Sequence, residues 1–248
     1  MVKKYLALAG DPRFIPLVYD YCDMWCARCP ITSRCLLFAA EPLRPPAGSG
    51  GYDADARVMD AIDLAHAVIE ASEPAEKPIA QLDLALCDVA TAPREPALGH
   101  PLEYLGHHYA IQAGEFLRPL RSGVDGRLPR GSPLEVVAWD HFLIAAKIYR
   151  ALVSHHGAAV QAPELLSDAL GSAKIALIAI DRSLAAWHTI ASTDEDARIG
   201  GLIELLEALR TGVELRFPHA RAFQRPGLDG DPREGPPAAC AGGPRRSS

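Results

Sequence analysis

Two stretches, Leu134–Leu152 and Ala173–Ile190, are apolar on nearly every side of a helix. That pattern limits the fold more than any other feature of the chain. A helix without a polar face must be surrounded by other elements, so both stretches belong in the middle of a bundle. Neither reads as a membrane span. Asp140, Lys147 and Arg150 interrupt the first and Asp181-Arg182 the second, and no run of about 18 apolar residues lacks charge. Hydrophobic residues make up 49% of the chain but aromatics only 6%, with Ala and Leu dominant. That mix favours helices packed on helices over a β-sandwich. No segment shows convincing strand alternation, so the expected fold is all-α, a multi-helix bundle.

Amphipathic helices should surround the two apolar ones. Val58, Ile62, Ala65 and Ile69 form one stripe, and Ile79, Leu82, Leu86 and Val89 a second after Pro78. Pro101 opens a helix through Leu102, Leu105, Tyr109 and Phe116. Ser132-Pro133-Leu134-Glu135 is a capping box with proline at the first helical position; it launches a helix to about residue 154. Another helix spans roughly 164–190. Ser192-Thr193-Asp194-Glu195 is a second capping box, ahead of a seam of Ile199, Leu202, Leu206, Leu209 and Val213.

The second informative feature is YCDMWCARCPITSRC, which places Cys22, Cys26, Cys29 and Cys35 within fourteen residues. Phe14, Leu17, Val18, Tyr21 and Trp25 recur at helical spacing around them. If that helix continues to Arg28, three of the cysteines fall at i, i+4 and i+7, on one face. Pro30 then stops the helix and lets the chain return Cys35. The four thiols are therefore expected to share one metal site in an N-terminal metal-binding module. Both zinc and a [4Fe-4S] cluster accept four thiolates. Four ligands crowded into one segment favour the cluster, since structural zinc more often joins two separated Cys pairs. Cys87 lies in an apolar stripe and reads as a small buried residue.

Cys26-Ala27-Arg28-Cys29-Pro30, followed by Cys35 after four residues, resembles the C-x2-C-P-x4-C part of the [4Fe-4S] loop in endonuclease III-like DNA glycosylases. The resemblance covers ten residues and implies a cluster type. The first spacing is shorter than in that family, the module sits at the other end of the chain, and no helix-hairpin-helix accompanies it, so no DNA-repair activity is carried over. The first three cysteines also match the C-x3-C-x2-C of radical SAM enzymes. Arg28 stands where that family has an aromatic residue, and the alternating β/α pattern is missing.

The central helices carry a second set of candidates. Asp140, His141, Lys147 and Arg150 lie on one, and Lys174, Asp181, Arg182 and His188 on the other. Ionisable groups on such helices are costly unless paired. Either Asp140 or Asp181 makes ion pairs across the seam, or His108, Glu115, His141, Asp181 and His188 converge on a polar ligand pocket. In the second case His141, Asp181 and His188 are the catalytic candidates. Glu103 and His107 share a helical face, although Glu103 also sits where a capping glutamate belongs. A di-iron site would need Glu-x-x-His motifs, and there are none.

Charge narrows the partners. The net charge is −6, with each end of the chain near +2 and the middle near −10. An acidic body argues against broad nucleic-acid binding. Lys3-Lys4 and the short apolar run behind them imitate a signal peptide, but Asp11-Pro12-Arg13 ends the run. The cytoplasm is the expected compartment, where cysteines stay reduced. The chain thus divides into a cysteine module at 1–41, a Pro/Gly linker at 42–54, a helical bundle at 55–217 and a disordered tail at 218–248. Function is expected to be redox or regulatory through the cluster. Otherwise the protein is a zinc-stapled module that binds an unidentified protein partner, or an enzyme using the polar seam.

Overall fold

Why the chain is helical is visible where two of its helices begin, at Pro133 and at Arg198. The computed structural model describes residues 8, 11–16, 18–40, 99–121, 128–160 and 165–230. The described residues fall into two units: one holds 8, 11–16, 18–19, 26–40 and 226–230, the other 20–25, 99–121, 128–160 and 165–225. The stripes at Val58–Ile69 and Ile79–Val89, the linker, Cys87 and Cys240 lie outside the described residues.

In the first unit, short 3-10 turns at Cys26–Arg28 and Thr32–Arg34 lead into α1, Leu36–Ala40. Ile15, Val18, Ile31 and Cys35 form a small buried cluster, with Tyr19, Cys29, Leu37 and Leu228 packed on it. The Ile15 amide donates to the Arg34 carbonyl at 3.0 Å, closing the segment onto itself.

The second unit holds α2 (Pro101–Arg121), α3 (Pro133–Val160), α4 (Leu165–Ala191) and α5 (Arg198–Arg216). Each helix packs on its sequence neighbour, and α5 returns to α2. Gly106 faces Ala145 and Ile148 while Gly114 faces His141, so α2 and α3 run antiparallel. Gly212 of α5 meets Leu102 of α2, and Arg198 lies over the Phe116 ring, so that pair is antiparallel as well. These helices make an up-and-down four-helix bundle.

Local sequence sets the ends. The α3 box forms: the Glu135 amide donates to Ser132 Oγ at 3.3 Å, and the Glu135 carboxylate accepts the Gly131 amide at 2.6 Å. The Ser192 box does not cap α5. Its serine donates to the Thr189 carbonyl instead, and α5 starts at Arg198, whose amide meets the Asp196 carboxylate at 2.9 Å. That contact pulls the Asp196 pKa down to about 2, through the Arg198 side chain and then its backbone.

The expected α5 seam of Ile199, Leu202, Leu206, Leu209 and Val213 is buried. The interior is joined by Trp187, whose indole N–H donates to Tyr109 Oη at 3.1 Å and whose ring meets Phe116 edge-on at 5.0 Å. The apolar α4 is buried on most of its surface, as expected. The apolar α3 is not: Trp139, Phe142 and Val153 are exposed on its outer face. Residues 218–230, the start of the segment expected as a tail, make turns. Ala220 is fully buried, and the Phe223 carbonyl accepts Lys174 Nζ at 2.5 Å.

Candidate metal centre and polar seam

The continuous helix expected through Cys22, Cys26 and Cys29 does not form. The chain makes separate 3-10 turns at Val18–Tyr21 and Cys26–Arg28. Between them the Asp23 carboxylate accepts the Trp25 amide at 3.0 Å, and Met24 takes a left-handed φ of 58°. An aspartate that turns its side chain back on the amide two residues ahead offers the backbone an alternative to helix, and here the alternative wins. Three cysteines on one helical face is therefore not the arrangement of this chain.

In the first unit Cys35 is buried in the small apolar cluster, Cys29 packs against that cluster, and Cys26 is exposed. The Cys29 amide donates to the Cys26 carbonyl at 3.2 Å, and the Cys35 amide to the Thr32 carbonyl at 3.2 Å, so both residues terminate tight turns. In the second unit Cys22 is half-buried, its thiol 3.7 Å from Met24 Sδ. Among the described residues, which include all four of these cysteines, no three His, Cys, Asp or Glu side chains come together as a group that could hold a metal ion.

The segment that carries Cys22 is fastened to the bundle by side chains of α3 and α4. Lys147 Nζ donates to the Asp20 carbonyl at 3.3 Å, and Trp139 Nε1 donates to the Asp23 carbonyl at 2.9 Å. Arg182 is forked: one terminal nitrogen donates to Asp23 Oδ2 at 2.8 Å, while Nε donates to Asp140 Oδ2 at 2.8 Å. Its guanidinium also lies 5.1 Å over the Trp25 ring, which stacks on Trp139 at 5.1 Å. Tyr21 packs against Phe223 at 5.3 Å.

These contacts shift the charged groups. Asp140 is fully buried, and that burial pushes its carboxyl above the usual carboxylate range against the pull of Arg182. Burial alone would lower Arg182, but its bonds to Asp140 and Asp23 leave it raised. Lys147 is 9% exposed, and burial followed by the repulsion of Arg150 lowers its amine; the Cys22 thiol, Asp168 and Asp20 act the other way.

The remaining polar candidates divide among several places. Among the described residues two ion pairs join the central helices, Asp140–Arg182 and Arg150–Asp168, the latter at 2.6 Å. Asp181 instead pairs outward with Arg221 at 2.8 Å, with Arg210 at 3.9 Å behind it. His188 is exposed near the end of α4, and His108 lies parallel to Tyr104 at 6.1 Å. Glu103 and His107 do share a face, 2.9 Å apart, while the α2 start is met by His100 Nδ1, which accepts the Leu102 amide at 3.1 Å. Of the five residues considered for a pocket, Glu115 and His141 line one cavity together. It is a groove of about 570 Å³ between α2 and α3, also lined by Ile111, Gly114, Arg118 and Phe142.

Sequence reasoning had the Asp140 pairing in outline but missed Asp20, Asp23 and Trp139. Their partners lie up to 159 residues away, and no local pattern marks them. No family model, curated protein or solved structure matches the chain. Among the described residues no helix is long and apolar enough to cross a membrane.

Proposed function

We propose that Cys22, Cys26, Cys29 and Cys35 ligate one metal centre, a [4Fe-4S] cluster, and that the protein is a redox or regulatory metal protein built on a helical bundle. The observation that carries this is the crowding of four thiols into fourteen residues. The residue type supports the reading, since all four are thiols, the donors such clusters take, although among the described residues they are not gathered into a metal-holding group. A segment of short turns with only a few buried apolar residues also gains most from a metal, because closing the ligands around the ion and ordering the backbone become one event. Bound there, the cluster would supply one-electron chemistry or a redox-sensitive state. Reduced thiols call for a reducing compartment, in keeping with the cytoplasm.

Structural zinc is the second reading, favoured by Cys29 and Cys35 lying on the small cluster of Ile15, Val18 and Ile31. A zinc staple would hold that cluster closed without redox activity, leaving the bundle surface to bind a protein partner. Anaerobic purification followed by metal analysis and a visible spectrum separates the two. A brown protein with iron and labile sulfide in equal amounts supports the cluster. A colourless protein with one zinc per chain moves the function to the staple.

A further inference from the structure

The start of α2 is capped by a side chain that titrates. The His100 carbonyl accepts the Tyr104 amide at 3.1 Å, and His100 Nδ1 accepts the Leu102 amide at 3.1 Å. His100 is therefore the N-cap residue, followed by Pro101, which brings no N–H of its own. Serine, threonine and asparagine, the more usual caps, keep their acceptor at any mildly acid pH. An imidazole keeps its acceptor only while neutral, because both ring nitrogens are donors once it is protonated.

The capped turn is also a contact between helices. Leu102 is 6% exposed and lies directly on the α5 backbone at Gly212, where a methyl group would overlap it. One turn further on, α5 ends at Arg216. The Arg216 guanidinium lies 5.7 Å over the buried Phe217 ring, and His155 of α3 meets that ring edge-on at 5.6 Å. Arg216 acts as a positive neighbour on His100 and His155 alike, with His156 beside His155 on α3. On α2 itself the Glu103 carboxylate is taken by His107 at 2.9 Å.

A proton on His100 acts three times in one direction. It replaces the acceptor that faces the Leu102 amide with a donor. It places a positive charge at a helix N-terminus, where the backbone dipole is already positive. It also meets the positive charge of Arg216.

We infer that His100 is a proton-sensitive clasp: neutral, it holds the first turn of α2 against α5, and protonated, it lets that turn come away from Gly212 while the rest of the bundle stays folded. The device lies within the four-helix bundle and is independent of the metal reading. Burial, then Arg216, holds the folded imidazole below its ordinary pKa of 6.5, so the released turn binds the proton more tightly. The clasp is complete above about pH 6.5 and is lost as the pH falls through the folded value.

The test is amide exchange of the full chain, followed residue by residue by NMR from about pH 7.5 to about pH 5. Rates are expressed as protection relative to the free chain, which removes the intrinsic effect of pH. The Leu102 and Glu103 amides of wild type should lose protection about fivefold over that range, while amides in the middle of α4 keep theirs. His100→Asn carries an acceptor at every pH and should hold its Leu102 protection constant. His155→Gln leaves the clasp intact and should respond as wild type does. If Leu102 protection in wild type does not change with pH, or falls equally in His100→Asn, the clasp is wrong. A response kept in His100→Asn but lost in His155→Gln would place the sensor on α3 and overturn it as well.

Discussion

Arg182 carries an unusual share of the order in the bundle. It satisfies Asp140, whose side chain is fully buried, and reaches Asp23 with its other nitrogen. Removing one partner of a buried pair leaves an uncompensated charge, which costs roughly 3–5 kcal/mol. Arg182→Met should therefore destabilise the protein by about that amount in urea unfolding, and Arg182→Met with Asp140→Leu should recover much of it. If the double variant is no better than the single, the cost arises from the lost contacts to Asp23 and Trp25. Sequence alone placed Asp140 and Arg182 on facing helices, because charges on apolar helices must pair. It could not choose Arg182 over the neighbouring Asp181, which turns outward to Arg221. One residue on a helix is about 100° of rotation, and the apolar pattern here is too uniform to fix that angle.

His155 adds a pH dependence at the same scale. Burial, then the positive charge of Arg216, lowers its imidazole pKa below the ordinary 6.5, and no donor or acceptor among the described residues meets its Nδ1. Its unfolded pKa is the higher one, so the unfolded chain binds the proton more tightly. This contribution is complete above about pH 6.5 and is lost as the pH falls through the folded value. His100, lowered by burial and by Arg216, acts in the same direction. Thermal midpoints measured from pH 8 down to pH 5 should fall more steeply for wild type than for His155→Gln. Parallel curves would mean that His155 does not titrate differently in the two states.

Among the elements, two capping boxes with equal claims in sequence behave differently. Ser132 bonds the Glu135 amide at the start of α3. Ser192 bonds the end of α4 instead, and α5 begins six residues after it. Ser132→Ala should cost about 1 kcal/mol, whereas Ser192→Ala should stay within about 0.5 kcal/mol. Equal losses in denaturant melts would show that the Ser192 box matters to α5. The apolar seam of α5 was legible because five residues keep its period, but its start was not, since a box and an Asx turn look alike at this length. The N-terminal helix failed for the same local reason, as Asp23 turns its carboxylate back on Trp25.

Gly171 is another element-scale constraint that no pattern announced. A methyl there would overlap the Tyr21 ring, because α4 and the Tyr21 segment approach without a side chain between them. Gly171→Ala should cost roughly 1–3 kcal/mol by overpacking, despite the better helix propensity of alanine. A stabilised variant would mean that the Tyr21 contact is loose.

For the whole molecule, the apolar run of α3 was legible as a central helix and proved only partly enclosed. Part of its outer face is covered by Trp25 stacked on Trp139, within the same segment that carries Cys22. The cysteines themselves were plain in the sequence, whereas the residues that hold Asp23 were not, because Trp139 and Arg182 lie 116 and 159 positions from it. Local patterns report which residues can form an element; they carry little about which distant side chain will meet it.

Metal stoichiometry tests the central claim most directly. Iron, sulfide and zinc should be counted per chain in anaerobically purified wild type, with Cys22→Ser and the exposed Cys26→Ser as comparisons. One centre of four iron and four sulfide per wild-type chain is expected, with its loss in each variant while the bundle still melts cooperatively. Wild-type protein carrying neither iron–sulfur nor zinc, or variants that keep the full complement, would contradict it.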